Sequence, residues 1–176
     1  MADYQFQGAD QVPIILDTLM TALTDALGCT TRGVPPRMVT TYGSAATLDC
    51  PEMGWVRVVN MFPSTRTGGQ QDMLPTRMAE VVRWYVQVEL GVNRCVTTVE
   101  SSNGQPLLPT PTQIAANTAT LTEDARALRA VALLLPERAR RDMNISAWTP
   151  TPADGGSMGG TINLSLWFTD CTPIQA

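Results

Sequence analysis

The sequence predicts an α+β fold, an antiparallel sheet of about four strands with two amphipathic helices packed on one face, plus extended loops and hairpin arms. Three observations carry this. Residues 10–27 and 114–135 place apolar side chains at three- and four-residue spacing, residues 79–95 place them at every second position, and the glycine-rich stretch 153–160 separates two further alternating runs. At 176 residues the chain lies within the range of one domain and is long enough to bury a core, so 1–176 is read as a single unit.

In DQVPIILDTLMTALTDAL (10–27), Asp10 is placed to cap and Pro13 suits the first turn. Val12, Ile15 or Leu16, Leu19, Leu23 and Ala26 or Leu27 form its apolar face, and Gly28 is the stop. Residues 29–50 hold two adjacent prolines and short polar runs, a wandering connection with room for one short strand. GWVRVVNMF (54–62), rich in valine and bounded by Gly54 and Pro63, reads as a strand, and PSTRTGGQQDMLPT (63–76) as a long exposed loop. From Ala79 to Cys95, Val82, Trp84, Val86, Val88 and Leu90 share one face and Val81, Arg83, Tyr85, Gln87 and Glu89 the other, a long strand antiparallel to its predecessor.

After the proline-rich SSNGQPLLPTP, the positions Ile114, Thr118, Leu121, Ala125, Leu128, Ala132 and Leu135 trace a helix of about six turns that Pro136 ends. Glu123, Arg126 and Arg129 lie off that stripe as a solvated face. Met143, Ile145 and Ala147 alternate before the glycines, and Ile162, Leu164, Leu166 and Phe168 after them. ADGGSMGGTINLSLWF (153–168) therefore reads as a hairpin with its tip at 153–160.

Composition removes most chemistry at neutral pH. All twelve basic residues are arginine and there is no histidine. That excludes a Ser-His-Asp or Cys-His nucleophile, a P-loop, a lysine Schiff base and a Ser-Lys pair. A net charge of −4 argues against gripping a nucleic-acid backbone. Cys29, Cys50, Cys95 and Cys171 are widely spaced and lack a histidine partner, so no zinc site is expected. The opening MADYQFQGADQVP is not a secretory signal, so reduced thiols packed as small hydrophobes are expected. Arg94 could lower the thiol pKa of Cys95, though a buried strand-end cysteine is the simpler reading. Asp10, Asp17, Asp25, Glu123 and Asp124 fall on helices, where carboxylates serve solubility rather than paired acid and base work. No apolar run reaches the ~18 residues that span a bilayer. A soluble protein without enzymatic activity, cofactor or metal is expected.

The glycines before the last strand invite a phosphate-binding reading, which fails on context. A phosphate turn leads into a helix N-terminus, whereas here a strand follows, lysine is absent and Asp154 adds negative charge. The glycines instead relieve strain in a long turn and supply a flexible tip that orders against a neighbour. On the face opposite the core stripe, Tyr85, Trp167 and Val81 mix with Arg83, Gln87, Asn163 and Ser165. Aromatics and arginine among uncharged polars compose an interface.

LDCPEMGWVRVV, MFP, VQVELGVNRC, the helix carrying EDARAL, and WTPTPADGGSMGGTINLSLWF follow in an order and spacing that resembles the tail terminator family of long-tailed bacteriophages, the actinobacteriophage type, from Leu48 to Phe168. The resemblance implies a small α+β protomer that assembles into a hexameric ring in the virion, at the head-tail junction. The ring would cap the tail tube, meet the head-completion or stopper protein, and let DNA pass through its lumen without specific binding. Assembly in the host cytoplasm is implied with it. Arms at 63–76 and 153–160 would reach the tube or a neighbouring subunit, with Arg66, Gly68, Gly69, Gly155, Gly156, Gly159 and Gly160 as candidate contacts beside Arg83, Tyr85 and Trp167 of the sheet face. The alternatives are another head-tail connector component, such as a stopper or tail-tube-like protein, a small carboxylate-dependent hydrolase, and a monomeric binding module for a small ligand held between helices and sheet.

Overall fold

The computed structural model describes residues 4–6, 11–43, 52–64, 83–96, 100–102, 105–107, 109–135, 143–154, 156–168 and 173–175. In chain order the elements are β1 (Tyr4–Phe6), α1 (Gln11–Gly28), β2 (Arg37–Tyr42), β3 (Met53–Ser64), β4 (Arg83–Cys95), β5 (Glu100–Ser102), β6 (Gln105–Leu107), α2 (Pro111–Leu134), β7 (Met143–Ile145), β8 (Thr149–Asp154), β9 (Ser157–Phe168) and β10 (Pro173–Gln175). The α+β class holds, but the main sheet has six strands rather than about four. Its order is β2-β3-β4-β9-β7, and β8 also pairs with β9. β1 pairs with β10, and β5 with β6, as separate two-stranded ribbons.

Nor is the sheet wholly antiparallel, because β2 runs parallel to β3. Period-two alternation marks a strand without fixing its direction, which depends on how distant segments meet. β3, β4 and β9 are antiparallel neighbours, as the alternation of 79–95 predicts for its own pair. A register shift between Val58 and Asn60 bulges β3, and β2 pairs only with the part of β3 before it.

Both helices lie on one face, α1 over β2 and β3 and α2 over β4 and β9. Leu16, Leu19, Leu23 and Leu27 of α1 meet Val56, Val88, Leu90, Ile162 and Leu164 in one core. Each such side chain, fully buried, contributes about 1.5–3 kcal/mol in transfer terms. The predicted stripe of α1 is the buried one; that of α2 is buried at Leu128 and Leu135 but not at its start. Ile114 is 53% exposed, and the buried positions of α2 start only at Asp124. Its first turn is held locally instead, by a capping box between Thr110 and Gln113, while the hydroxyls of Thr118, Thr120 and Thr122 are satisfied by donating to carbonyls four residues back.

The part of α2 read as a solvated face contains a fully buried acid. Asp124 and Arg94, each with 0% side-chain exposure, form a two-pronged pair: Nε donates to Oδ2 at 3.0 Å and Nη2 to Oδ1 at 2.9 Å. Arg94 Nη2 also donates to the Gly33 carbonyl at 2.8 Å and Nη1 to Glu52 Oε2 at 3.1 Å, while Arg32 binds the other oxygen of Glu52. Burial is the largest single effect on the guanidinium and lowers its pKa. The hydrogen bonds and charges of Asp124 and Glu52 together outweigh that and hold it above the ordinary value. One side chain thus joins β4, α2, the α1–β2 connection and the approach to β3. Alternation along β4 turns Arg94 into the core and Cys95 to the other side, so Arg94 does not serve as a thiol activator. Cys95 is in fact disulfide-bonded, its partner outside the described residues, whereas Cys29 is a free exposed thiol. The expectation of reduced thiols rested on the lack of a secretory signal and on the way free cysteine packs as a small hydrophobe, neither of which reports which cysteines a fold brings together.

Glu123, next to Asp124 but on the surface, latches the same connection. Thr31 donates its backbone N–H to Oε2 at 2.7 Å and its hydroxyl to Oε1 at 2.8 Å. These bonds, the backbone one first, with a smaller contribution from the Arg126 charge, hold the Glu123 carboxyl below its ordinary pKa. A depressed folded pKa means that the unfolded chain binds more protons in the window between the two values. The latch therefore stabilises fully above the ordinary carboxylate pKa and is lost as pH falls through the folded one. Unfolding free energies measured against pH should show wild type exceeding Glu123→Gln at neutral pH and the two converging in acid; a constant gap would refute the latch.

Candidate assembly surfaces

The sheet face turned away from both helices is ordered in rows by strand register. At one end Met53 lies opposite Asn93, which lies opposite Gly159; next come Val39, Trp55, Gly91 and Thr161; then Thr41, Arg57, Glu89 and Asn163. Beyond them Asn60, Gln87 and Ser165 form a row, and Phe62, Tyr85 and Trp167 the last. Met53, Trp55 and Asn93 are buried, whereas the last three rows are half-buried or exposed apart from Tyr85.

Physical chemistry accounts for each row. Glu89 accepts from Trp55 Nε1 and from Arg57 Nη2, both at 2.9 Å, so its charge is neutralised within the face. The Trp55 indole lies across Gly91, where an added Cβ would come within 2.1 Å of the ring. In the last row Tyr85 stacks on Phe62 at 4.5 Å and meets Trp167 edge-on at 5.2 Å. Its hydroxyl shares a 2.7 Å hydrogen bond with Ser165. Three groups on this side, Thr41 Oγ1, Arg57 Nε and the Asn93 amide, are buried without a hydrogen-bond partner among the described residues. Thr41 and Arg57 are direct cross-strand neighbours.

The two long edges differ. β8 contains Pro150 and Pro152, which remove two N–H donors and blunt that edge against a further strand. β2, RMVTTY, has no proline and is bordered on its outer side by no described strand.

Of the sequence-derived contacts, Tyr85 and Trp167 share the last row, and Arg83 lies at the start of β4 opposite Ser64. Arg66, Gly68, Gly69 and Gly155 fall outside the described residues. The hairpin tip is shorter than expected. Gly156 is the described glycine of the turn, with φ +86°, and β9 begins at Ser157, so Gly159 and Gly160 are buried strand residues. A Cβ on Gly159 would lie 2.0 Å from the Val92 carbonyl oxygen, and one on Gly160 2.2 Å from the Trp148 ring. Close packing, rather than a mobile loop, requires these two. β7 and β8 both pair along β9, which splits the first arm of the expected hairpin. Sequence reasoning missed the Trp55–Arg57–Glu89 cluster and Phe62. Parity placed Glu89 on Tyr85's face, but partners across strands follow only from register.

Among the described residues no group of three cysteines, aspartates or glutamates is arranged to hold a metal ion, and no described helix is long and apolar enough to cross a membrane. Glu89 is bound by a cation and an indole, and Asp124 by a cation, so neither presents a free carboxylate to a substrate. No protein-family model matches the chain, and no curated protein does.

Proposed function

We propose that this chain is a virion structural protein, a tail terminator whose copies close into a ring, six being expected, that caps a tail tube and joins it to the head-completion protein. The observation that supports this best is the sheet face turned from the helices. It combines a cross-strand aromatic row with uncharged polar rows and one internally neutralised ion pair, the composition of a contact surface rather than of a catalytic cleft. A ring of net-acidic subunits also suits a channel through which DNA passes without being held. The protein acts by shape and self-association, with no cofactor, and its partners are copies of itself, the tube protein and the stopper.

Light scattering and negative-stain imaging of the pure protein, alone and with tail tubes, test this reading. A discrete ring that caps tubes is expected, and Trp167→Ser, which removes the half-buried end of the aromatic row, should reduce capping while far-UV dichroism is retained. Unlimited cylinders would replace the proposal with a tail-tube-like component. A monomer at every concentration, with tubes present, would overturn it.

A further inference from the structure

The outer face of the helix pair is self-complementary. α1 and α2 run antiparallel: Asp17 and Leu134 border one groove, Asp25 and Ala130 the next, and Thr31 reaches Glu123 beyond them. The two grooves, of about 490 and 390 Å³, share Asp25 and Leu134 and form one seam with a floor of alanines. On the α1 side the exposed acids Asp17 and Asp25 line the seam, and on the α2 side the exposed Arg126 lines it beside Glu123, whose carboxylate is engaged by Thr31. Arg129, one turn along α2, is exposed and donates its Nε to the Ala125 carbonyl at 3.1 Å. None of Asp17, Asp25, Arg126 and Arg129 makes an ion pair among the described residues. At the Asp17 end of the seam Leu133 is 72% and Leu134 53% exposed, and Ile14, one turn from Asp17, is 49% exposed.

We propose that a second copy of this chain docks on this seam about a two-fold axis parallel to the helices. Such a rotation sets each α1 against the partner copy's α2 at the same height. It brings Asp25 of each copy level with Arg126 of the other, and the leucine end of one copy over the Ile14 end of the other. An acid on one helix and an arginine at the same height on its antiparallel neighbour meet twice across such an axis, the condition for an isologous interface. The shallow alanine floor admits close approach, and the exposed leucines supply apolar area that is buried only in the pair. This contact goes beyond the ring and does not depend on it, since the ring is assigned to the sheet side.

Sedimentation equilibrium of the full chain tests the proposal. A reversible two-fold step is expected, from monomer to dimer or from ring to paired ring, weaker in about 0.5 M than in about 0.05 M salt because the charge contribution is screened. Leu133→Ser and Asp25→Arg should each weaken it by about tenfold or more. Combining Asp25→Arg with Arg126→Asp and Arg129→Asp should restore it. All four positions are exposed, so dichroism and the urea midpoint should not move. A monomer at every concentration, or association that none of these changes affects, overturns the pairing. Capping rings that survive Leu133→Ser but not Trp167→Ser, with no dimer step, would leave the ring standing and remove this interface; a salt-sensitive dimer that never caps tubes would do the reverse.

Discussion

Arg94→Met should lower the unfolding free energy by about 3–5 kcal/mol, measured by urea titration, because it strands Asp124 as a buried, uncompensated charge. The side chain of Asp124 is 0% exposed and receives both of its described hydrogen bonds from this arginine. Removing both members tells the pair's net worth from the cost of breaking it. In Arg94→Met with Asp124→Leu, much of the loss should return, since a well-packed apolar pair escapes the desolvation penalty. Arg94→Lys should recover little, because an ammonium lacks the planar fork that serves Asp124, Glu52 and the Gly33 carbonyl together. A loss below about 1 kcal/mol for Arg94→Met would mean that water reaches the site and the charge is not buried.

Gly159→Ala should cost about 3 kcal/mol or more, enough to deplete soluble protein, because the new methyl meets backbone rather than a side chain that can turn away. The obstacle is the Val92 carbonyl oxygen at 2.0 Å. Gly160→Ala offers the contrast: its nearest atoms belong to the half-buried Trp148 ring, a side chain rather than backbone, although the Thr149 carbonyl at 2.7 Å adds to the cost. Gly156→Ala should lose only about 1–2 kcal/mol, for a left-handed backbone with φ +86°. Thermal midpoints of the three variants should fall in that order. If Gly156 proved the most sensitive, the loop reading of the glycine pair would be right after all.

These positions show what a sequence reports and what it withholds. The face of α1 was legible because Leu16, Leu19, Leu23 and Leu27 recur at helical spacing and all pack inward. β4 was legible because its alternation is long and uninterrupted. α2 was legible at Leu128 and Leu135 and misled elsewhere, since an apolar spacing that runs on to Ile114 says nothing of how far the sheet extends beneath it, and because a buried aspartate looks like a surface one until its arginine is known. Arg94 and Asp124 are 30 residues apart, a pairing that no local pattern encodes. Gly159 and Gly160 read as a loop because glycine signals freedom and close approach with the same letter. The polar sheet face was legible in outline from parity, which set Tyr85 and Trp167 beside Gln87, Asn163 and Ser165, but its rows depend on register across four strands.

The way Arg94 gathers distant segments bears on the kinetics of the chain. Its partners Gly33, Glu52 and Asp124 stand 61, 42 and 30 residues away, so the network closes only after helices and sheet have docked and the loop-closure entropy has been spent. Interactions that mature after the barrier leave the refolding rate nearly unchanged and set how long the native state survives. Removal of the guanidinium should therefore show chiefly as faster unfolding and a shortened native lifetime.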